Sequence, residues 1–302
     1  MLRPLLALAL VLTGCPTSPP GDAGFDADRD AGPTDRTVGT EERPARLVMP
    51  SEHDGVTPRP LIVLLHGYGA SGRIQDAYLG LSSLTRDRGI YLVLPDGTVD
   101  TGGSRFWNSG GACCDFGATR VDDVGYLTGL VDEVEALVPV DPDRVYFVGH
   151  SNGGFMSYRM ACELSGRVAA IAVLAGSDFP DDAGCVPADG PPSVLHLHGT
   201  ADDTIAFDGG MLGAIAYPAA GTVIERWAGR MGCDVAAGAD GARLDLTSDV
   251  DGAETVPTTW SAGCEAGREA ALYRMEGAGH IPNLVRPTFT ETVVDWLLEH
   301  PR

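Results

Sequence analysis

Ser151, Asp202 and His280 are the side chains through which this 302-residue chain could form and hydrolyse an acyl-serine. A serine hydroxyl is hardly ionised at neutral pH. Attack on a carbonyl therefore needs a base that takes its proton and later returns it to the leaving group. Ser151 stands in Gly149-His150-Ser151-Asn152-Gly153-Gly154, directly after the β-branched and aromatic run Val145-Tyr146-Phe147-Val148 and directly before a helical pattern. Such a strand-to-helix turn needs glycine where Cβ atoms would collide, and it lifts the serine out of the sheet beside the positive end of a helix.

Seven histidines could supply the base. His53 and His300 lie near the domain edges, His196 lies within a strand, and His150 is inside the turn, pointing elsewhere than Ser151. His66 belongs to the loop after an early strand and is read as bracing it. His280 follows Gly277-Ala278-Gly279 in a loop after the last strand, where the order serine, acid, histidine expects the base. The acid should then come from His198-Gly199-Thr200-Ala201-Asp202-Asp203. Adjacent side chains leave a loop in different directions, so one carboxylate orients His280. Asp202 is assigned that role and Asp203 the capping of the turn.

A tetrahedral oxyanion needs two N–H donors. Asn152, the residue after the nucleophile, offers one, and Tyr68 in His66-Gly67-Tyr68-Gly69 offers the other. Losing one such donor costs about 10²–10³ in rate. Trp107 precedes a Gly-rich, Cys-bearing loop and is read as a structural anchor or, more sharply, as a wall of the acyl pocket. Asp122 and Asp123 open a helix and are read as N-terminal caps.

These residues need strands and helices to carry them. Apolar runs at 60–65, 90–94, 144–148, 168–174, 194–198 and 270–275 read as strands buried on both faces. Helical periodicity appears at 75–88, 121–138, 222–231 and 287–299 and follows the nucleophile directly. The alternation predicts an α/β fold with a doubly wound, mostly parallel sheet and no large lid domain. The one roomy excursion is 232–267.

The chain's beginning reads differently. Residues 1–14 combine Arg3 with an apolar run too short to span a bilayer, as in a signal peptide, and end in Leu12-Thr13-Gly14-Cys15. Small residues before a cysteine resemble the lipobox of bacterial lipoproteins, which makes Cys15 the expected lipidation site. Residues 15–40 read as an Asp-, Pro- and Gly-rich tether, because Asp26-x-Asp28-x-Asp30 lacks the Gly and distal Glu of an EF-hand. Residues 41–302 form the expected catalytic domain. Export is expected, with a lipid anchor at a periplasmic or cell-surface membrane as the sole membrane contact, and secretion behind an ordinary signal peptide as the alternative.

The net charge of −21 and the absence of lysine argue against nucleic acid as a partner. Beyond Cys15 remain Cys113, Cys114, Cys162, Cys185, Cys233 and Cys264, an even set suited to disulfides in an exported chain. Cys233 with Cys264, flanking the excursion, is the first pairing expected. Cys113 and Cys114, being adjacent, are not expected to bridge each other. No Cys-x-x-Cys or clustered histidine favours zinc, and no metal or organic cofactor is called for.

Taken as a set, Leu65–Gly69, Trp107–Cys114, Val121–Val124, Gly149–Gly154, His198–Asp202 and Gly277–His280 resemble the polyhydroxybutyrate depolymerase and feruloyl esterase group of α/β-hydrolases, within the first carbohydrate esterase family. The resemblance runs from about Arg46 to the C-terminus. It implies the α/β-hydrolase fold, a triad at the positions of Ser151, Asp202 and His280, and an ester substrate of polysaccharide, polyester or small-molecule type. The chain departs from that pattern after the histidine, with Ile281-Pro282-Asn283 where members often carry Thr-Trp-Pro. A peptidase on the same fold and a non-catalytic binding lipoprotein are the alternatives.

Overall fold

A computed structural model of the chain describes residues 34–265 and 267–302. The expected signal peptide, Cys15 and most of the expected tether lie outside the described residues. Ten strands form one sheet: β1 (Arg36–Gly39), β2 (Pro44–Val48), β3 (Arg59–Leu65), β4 (Tyr91–Leu94), β5 (Val140–His150), β6 (Ala170–Leu174), β7 (Ser193–Gly199), β8 (Ala239–Asp240), β9 (Thr255–Trp260) and β10 (Ala270–Met275). Their spatial order is β1-β2-β4-β3-β5-β6-β7-β10-β9-β8. The six central strands from β4 to β10 pair in parallel, and the two outer strands on each side pair antiparallel.

Alternation along the strands splits the core between the two faces. Leu61, Val63 and Leu65 of β3 pack on one side, under helices α3 (Asp123–Leu137), α4 (Asn152–Glu163) and α5 (Ala220–Arg230). Ile62 and Leu64 face the other side, under α1 (Gly72–Leu79), α2 (Leu81–Asp87) and α6 (Thr288–Glu299). Both faces of the central strands are therefore apolar, which is why their sequences read as continuous hydrophobic runs.

Several expectations change in detail. The helix read at 75–88 is two helices, because Gly80 takes φ 73° and ends α1 with a left-handed residue. The sheet begins at Arg36, inside the stretch read as tether. The 232–267 excursion supplies β8 and β9, which extend the sheet edge beside β10.

Disulfides join Cys162 to Cys185 and Cys233 to Cys264. Cys113 and Cys114 also bridge each other, against the expectation from adjacency. The backbone from Ser109 to Cys113 closes a tight turn, with Ser109 N–H donating to the Cys113 carbonyl at 2.8 Å, and it sets the two sulfurs side by side in the core. Cys162, Asp178 and Cys185 are the one close group of potential metal ligands among the described residues, and both sulfurs there are spent in the disulfide.

Candidate active site

The turn after β5 places Ser151 at φ 53° and ψ −122°, a strained conformation for a residue with a side chain. Its N–H is tied to the Leu174 carbonyl at 2.9 Å, and its own carbonyl receives the N–H groups of Gly154 and Phe155 at 2.8 and 3.1 Å. The strand end and the first turn of α4 together hold it there.

His280 reaches Ser151 from the loop after β10. Its Nε2 lies 3.0 Å from Ser151 Oγ, and its Nδ1 lies 2.8 Å from Asp202 Oδ2. A carboxylate only accepts, so Nδ1 carries the hydrogen and Nε2 faces Ser151 Oγ as an acceptor.

Three neighbours hold the His280 loop. The His150 ring packs 5.1 Å from the His280 ring, and its Nε2 lies 3.0 Å from the His280 carbonyl. Burial pushes His150 down to about 4, so it is neutral at pH 7 and donates from Nε2. Tyr78 Oη donates to the Pro282 carbonyl at 2.8 Å. Asn283 exchanges hydrogen bonds with the 247–249 segment, its N–H reaching Asp249 at 2.8 Å and its carbonyl receiving Ser248 N–H at 2.8 Å. The excursion thus buttresses the loop that carries the imidazole.

Asp202 is buried and receives three N–H groups, with His198 Nε2 close beside it. Thr204 and Ile205 donate backbone N–H to Oδ1 at 2.9 and 2.8 Å, while His280 Nδ1 and His198 Nε2 approach Oδ2 at 2.8 and 3.3 Å. Burial works against its charge, but the bonds from His198 and His280 outweigh it and hold the carboxyl well below its ordinary range. Asp202 therefore makes the turn hydrogen bonds as well. Asp203, expected to cap that turn, is exposed and reaches only Thr204 Oγ1, at 3.4 Å.

The loop after β3 passes directly against the serine. A Cβ built on Gly67 would lie 3.4 Å from Ser151 Cβ. Neither the Tyr68 nor the Asn152 N–H makes a hydrogen bond among the described residues, so both are free to donate. His66 braces this loop as expected: Nδ1 donates to the Gly67 carbonyl at 2.8 Å, and Nε2 accepts Gly97 N–H at 2.9 Å. Burial holds His66 below its ordinary range, consistent with that neutral form.

Trp107 is fully buried and does not line the cleft at Ser151, so it is an anchor and not a pocket wall. Its Nε1 donates to the His66 carbonyl at 3.1 Å. Asp122 caps α3 by accepting Gly125 N–H at 2.8 Å, but Asp123 does something else. It is buried, pairs with Arg43 at 2.7 Å and accepts Asn108 N–H at 2.7 Å, so it anchors the Trp107 loop. The Arg43 guanidinium lies over the Tyr126 ring, 3.7 Å from its centroid.

The cleft in front of Ser151 encloses about 470 Å³. Tyr68, Ile74, Tyr78 and Ile281 give it apolar walls, and no Asp, Glu or Arg side chain lines it among the described residues. Ile74 and Ile281 are largely exposed at the rim, and Tyr68 Oη is fixed there by a hydrogen bond to Asp100.

Residue type alone does not disclose the roles of His198, of His150 as a support, or of the Asn152 side chain. The alternation His196-x-His198, which puts two polar rings on one face of an otherwise apolar strand, is the signal that was available.

Comparison with known proteins agrees with this architecture. The model of a family described as "Alpha/beta hydrolase family" matches residues 62–292. The chain is 29% identical over 196 residues to "Probable feruloyl esterase C" of Aspergillus niger, covering 63% of this chain and 62% of that protein. It is 28% identical over 192 residues to "Feruloyl esterase B" of Piromyces equi, covering 61% of this chain and 34% of that protein. It thus spans less than two thirds of the length of either relative. Among solved structures, an acetyl xylan esterase from Aspergillus awamori aligns with a TM-score of 0.60 at 16% identity, over 88% of this chain and 100% of that one. At that identity the shared feature is the fold.

Proposed function

The chain belongs to the alpha/beta hydrolase family, and from that premise we propose that it is an exported serine esterase that cleaves carboxylic esters through an acyl-serine intermediate. The observation that carries this reading is the hydrogen-bonded series Ser151 Oγ, His280 Nε2, His280 Nδ1 and Asp202 Oδ2, with links of 3.0 and 2.8 Å, opening on the apolar cleft. The feruloyl esterase names of the relatives support the same reaction class.

Ser151 Oγ attacks the ester carbonyl while its proton moves to His280 Nε2. Asp202 fixes the imidazole tautomer and stabilises the imidazolium without taking the proton. The oxyanion is received by the N–H groups of Tyr68 and Asn152. His280 then protonates the departing alcohol, and a water molecule, deprotonated by the same imidazole, releases the acid.

Because the cleft is lined by apolar and neutral polar groups, an uncharged acyl chain suits it. A hydroxycinnamoyl or acetyl sugar ester, or a hydroxyalkanoate oligomer, meets that requirement. Export and anchoring through Cys15 rest on the 1–15 sequence. The three disulfides agree with an oxidising compartment.

The test is hydrolysis of p-nitrophenyl esters, methyl ferulate, acetylated xylan and hydroxybutyrate oligomers by the purified protein and by Ser151→Ala. Turnover that collapses by roughly 10⁴–10⁶ in the variant is expected. A folded protein inactive on every ester, or turnover that survives Ser151→Ala, would refute the reading.

A further inference from the structure

Beneath Asp202 lies a buried row of polar groups that the reaction as written does not use. His196 and His198 are two residues apart on β7, so their rings leave the same face of the strand. The rings stack with centroids 5.2 Å apart and an interplanar angle of 15°. Both are buried, as is Tyr158 of α4. Tyr158 Oη lies 2.7 Å from His196 Nδ1, and His196 Nε2 lies 2.9 Å from His198 Nδ1. His198 Nε2 lies 2.7 Å from the Ile205 carbonyl and 3.3 Å from Asp202 Oδ2.

With one hydrogen on each ring, the groups at the end of this row set the direction of every proton in it. A carbonyl and a carboxylate accept and never donate, so His198 Nε2 must carry hydrogen. A neutral His198 then presents a bare Nδ1, which requires hydrogen on His196 Nε2. That leaves His196 Nδ1 bare, and Tyr158 donates to it. Burial holds His196 well below its ordinary range, as a neutral ring in this row requires.

Ile205 ties the row to the acid a second time. Its N–H donates to Asp202 Oδ1 at 2.8 Å, while its carbonyl receives His198 Nε2. His198 therefore holds the turn that wraps the carboxylate and sits 3.3 Å from the carboxylate itself.

We propose that Tyr158, His196 and His198 form a one-directional hydrogen-bond chain that fixes the Asp202 carboxylate in line with His280, with His198 as its positioning residue. The inference rests on the esterase reading above and deepens it. Three donors in series polarise one another, and the positive end of the row donates to the Ile205 carbonyl with Asp202 Oδ2 3.3 Å away. A carboxylate held at both oxygens cannot rotate away when His280 becomes charged.

The first readout needs no turnover. Long-range ¹H–¹⁵N spectra of the imidazoles in the full chain at pH 7 should report His196 and His198 as neutral rings with hydrogen on Nε2. The low-field proton shared by His280 and Asp202 should shift or broaden in His198→Leu and persist in His198→Gln, whose terminal amide donates from near the Nε2 position. The second readout is kinetic. His198→Leu should lower kcat by about 10–100-fold, the scale of a small misplacement of a reacting group, with KM little changed. His198→Gln should recover most of that loss.

If His198→Leu fails to fold, Tyr158→Phe serves instead, since it removes only the hydroxyl. It should move the His196 Nδ1 resonance and leave the family of folded spectra otherwise intact. Hydrogen on Nδ1 of either ring, a doubly protonated His198, or equal kcat in the Leu and Gln variants would overturn the chain. Ser151→Ala runs beside them: turnover surviving in that variant removes the esterase reading, while the tautomer spectra still decide the chain.

Discussion

Trp107 and Asn152 hold each other through two opposed hydrogen bonds: Trp107 N–H donates to Asn152 Oδ1 at 2.7 Å, and Asn152 Nδ2 donates to the Trp107 carbonyl at 2.9 Å. Because the Trp107 indole also holds the His66 carbonyl, one buried residue links the β3 loop to the start of α4. The N–H groups assigned to the oxyanion sit on these two segments. Asn152→Ala keeps its own backbone N–H but loses the clamp. Its kcat on the best ester is expected to fall by about 10–100-fold with KM little changed, because a donor displaced by a fraction of an ångström loses most of its effect. Steady-state kinetics check this. An unchanged kcat would mean that the backbone at 151–153 needs no side-chain support.

Gly153 is where the turn tolerates no side chain. A Cβ there would lie 2.7 Å from the His66 carbonyl oxygen and collide harder still with the Leu65 carbonyl. Neither atom can give, since both belong to the strand end and loop that face Ser151. Gly153→Ala is therefore expected to cost about 3 kcal/mol or more, at or beyond the upper end of overpacking effects. Gly129→Ala is the control: a Cβ at that position of α3 meets nothing within 4 Å, and removing glycine from a helix interior stabilises by roughly 0.5–1 kcal/mol. Urea unfolding of both variants measures the contrast. Equal stability would remove the steric account of the turn.

The parallel centre of the fold and the three candidate catalytic positions were legible in the sequence because their signals are local. β3, β7 and the second half of β5 are apolar runs that lead into glycine within one or two residues, and Ser151 follows one such glycine. What stayed hidden depends on residues far apart in the chain. β1 and β8 are the sheet's edge strands and β9 lies next to that edge, and their sequences are short or mixed polar because one side there need not be apolar. Asp123 resembles a second helix cap until Arg43, 80 residues earlier, is placed beside it. The bridge between Cys113 and Cys114 depends on the closed turn from Ser109, and Trp107 becomes an anchor only once β3 and α4 are in place around it. His198 was the nearest miss, since its two-residue spacing from His196 was visible but its partner Asp202 lies across a turn.

Acid should weaken the fold before it titrates the carboxylates. Burial holds His66, His150 and His196 below the ordinary histidine value of 6.5, His150 down to about 4. Between those two pH values the unfolded chain binds protons that the folded chain does not, so stability rises with pH across the window and falls as the pH drops through it. For His150 alone the shift amounts to about 3 kcal/mol by pH 4, and the other two add with the same sign. Asp202 acts in a separate window. Its folded carboxyl lies below the ordinary value of 3.8, so its contribution is intact above that pH and is lost only further into acid. Urea unfolding at pH 7.5, 6 and 5 should therefore show stability dropping step by step, and His150→Gln should flatten part of the slope. Stability that stays level from pH 7.5 to 5 would mean that these imidazoles accept protons within the fold. The neutral forms assigned to His66, His150 and His196 would then be wrong, and with them the bracing of the β3 and His280 loops as described.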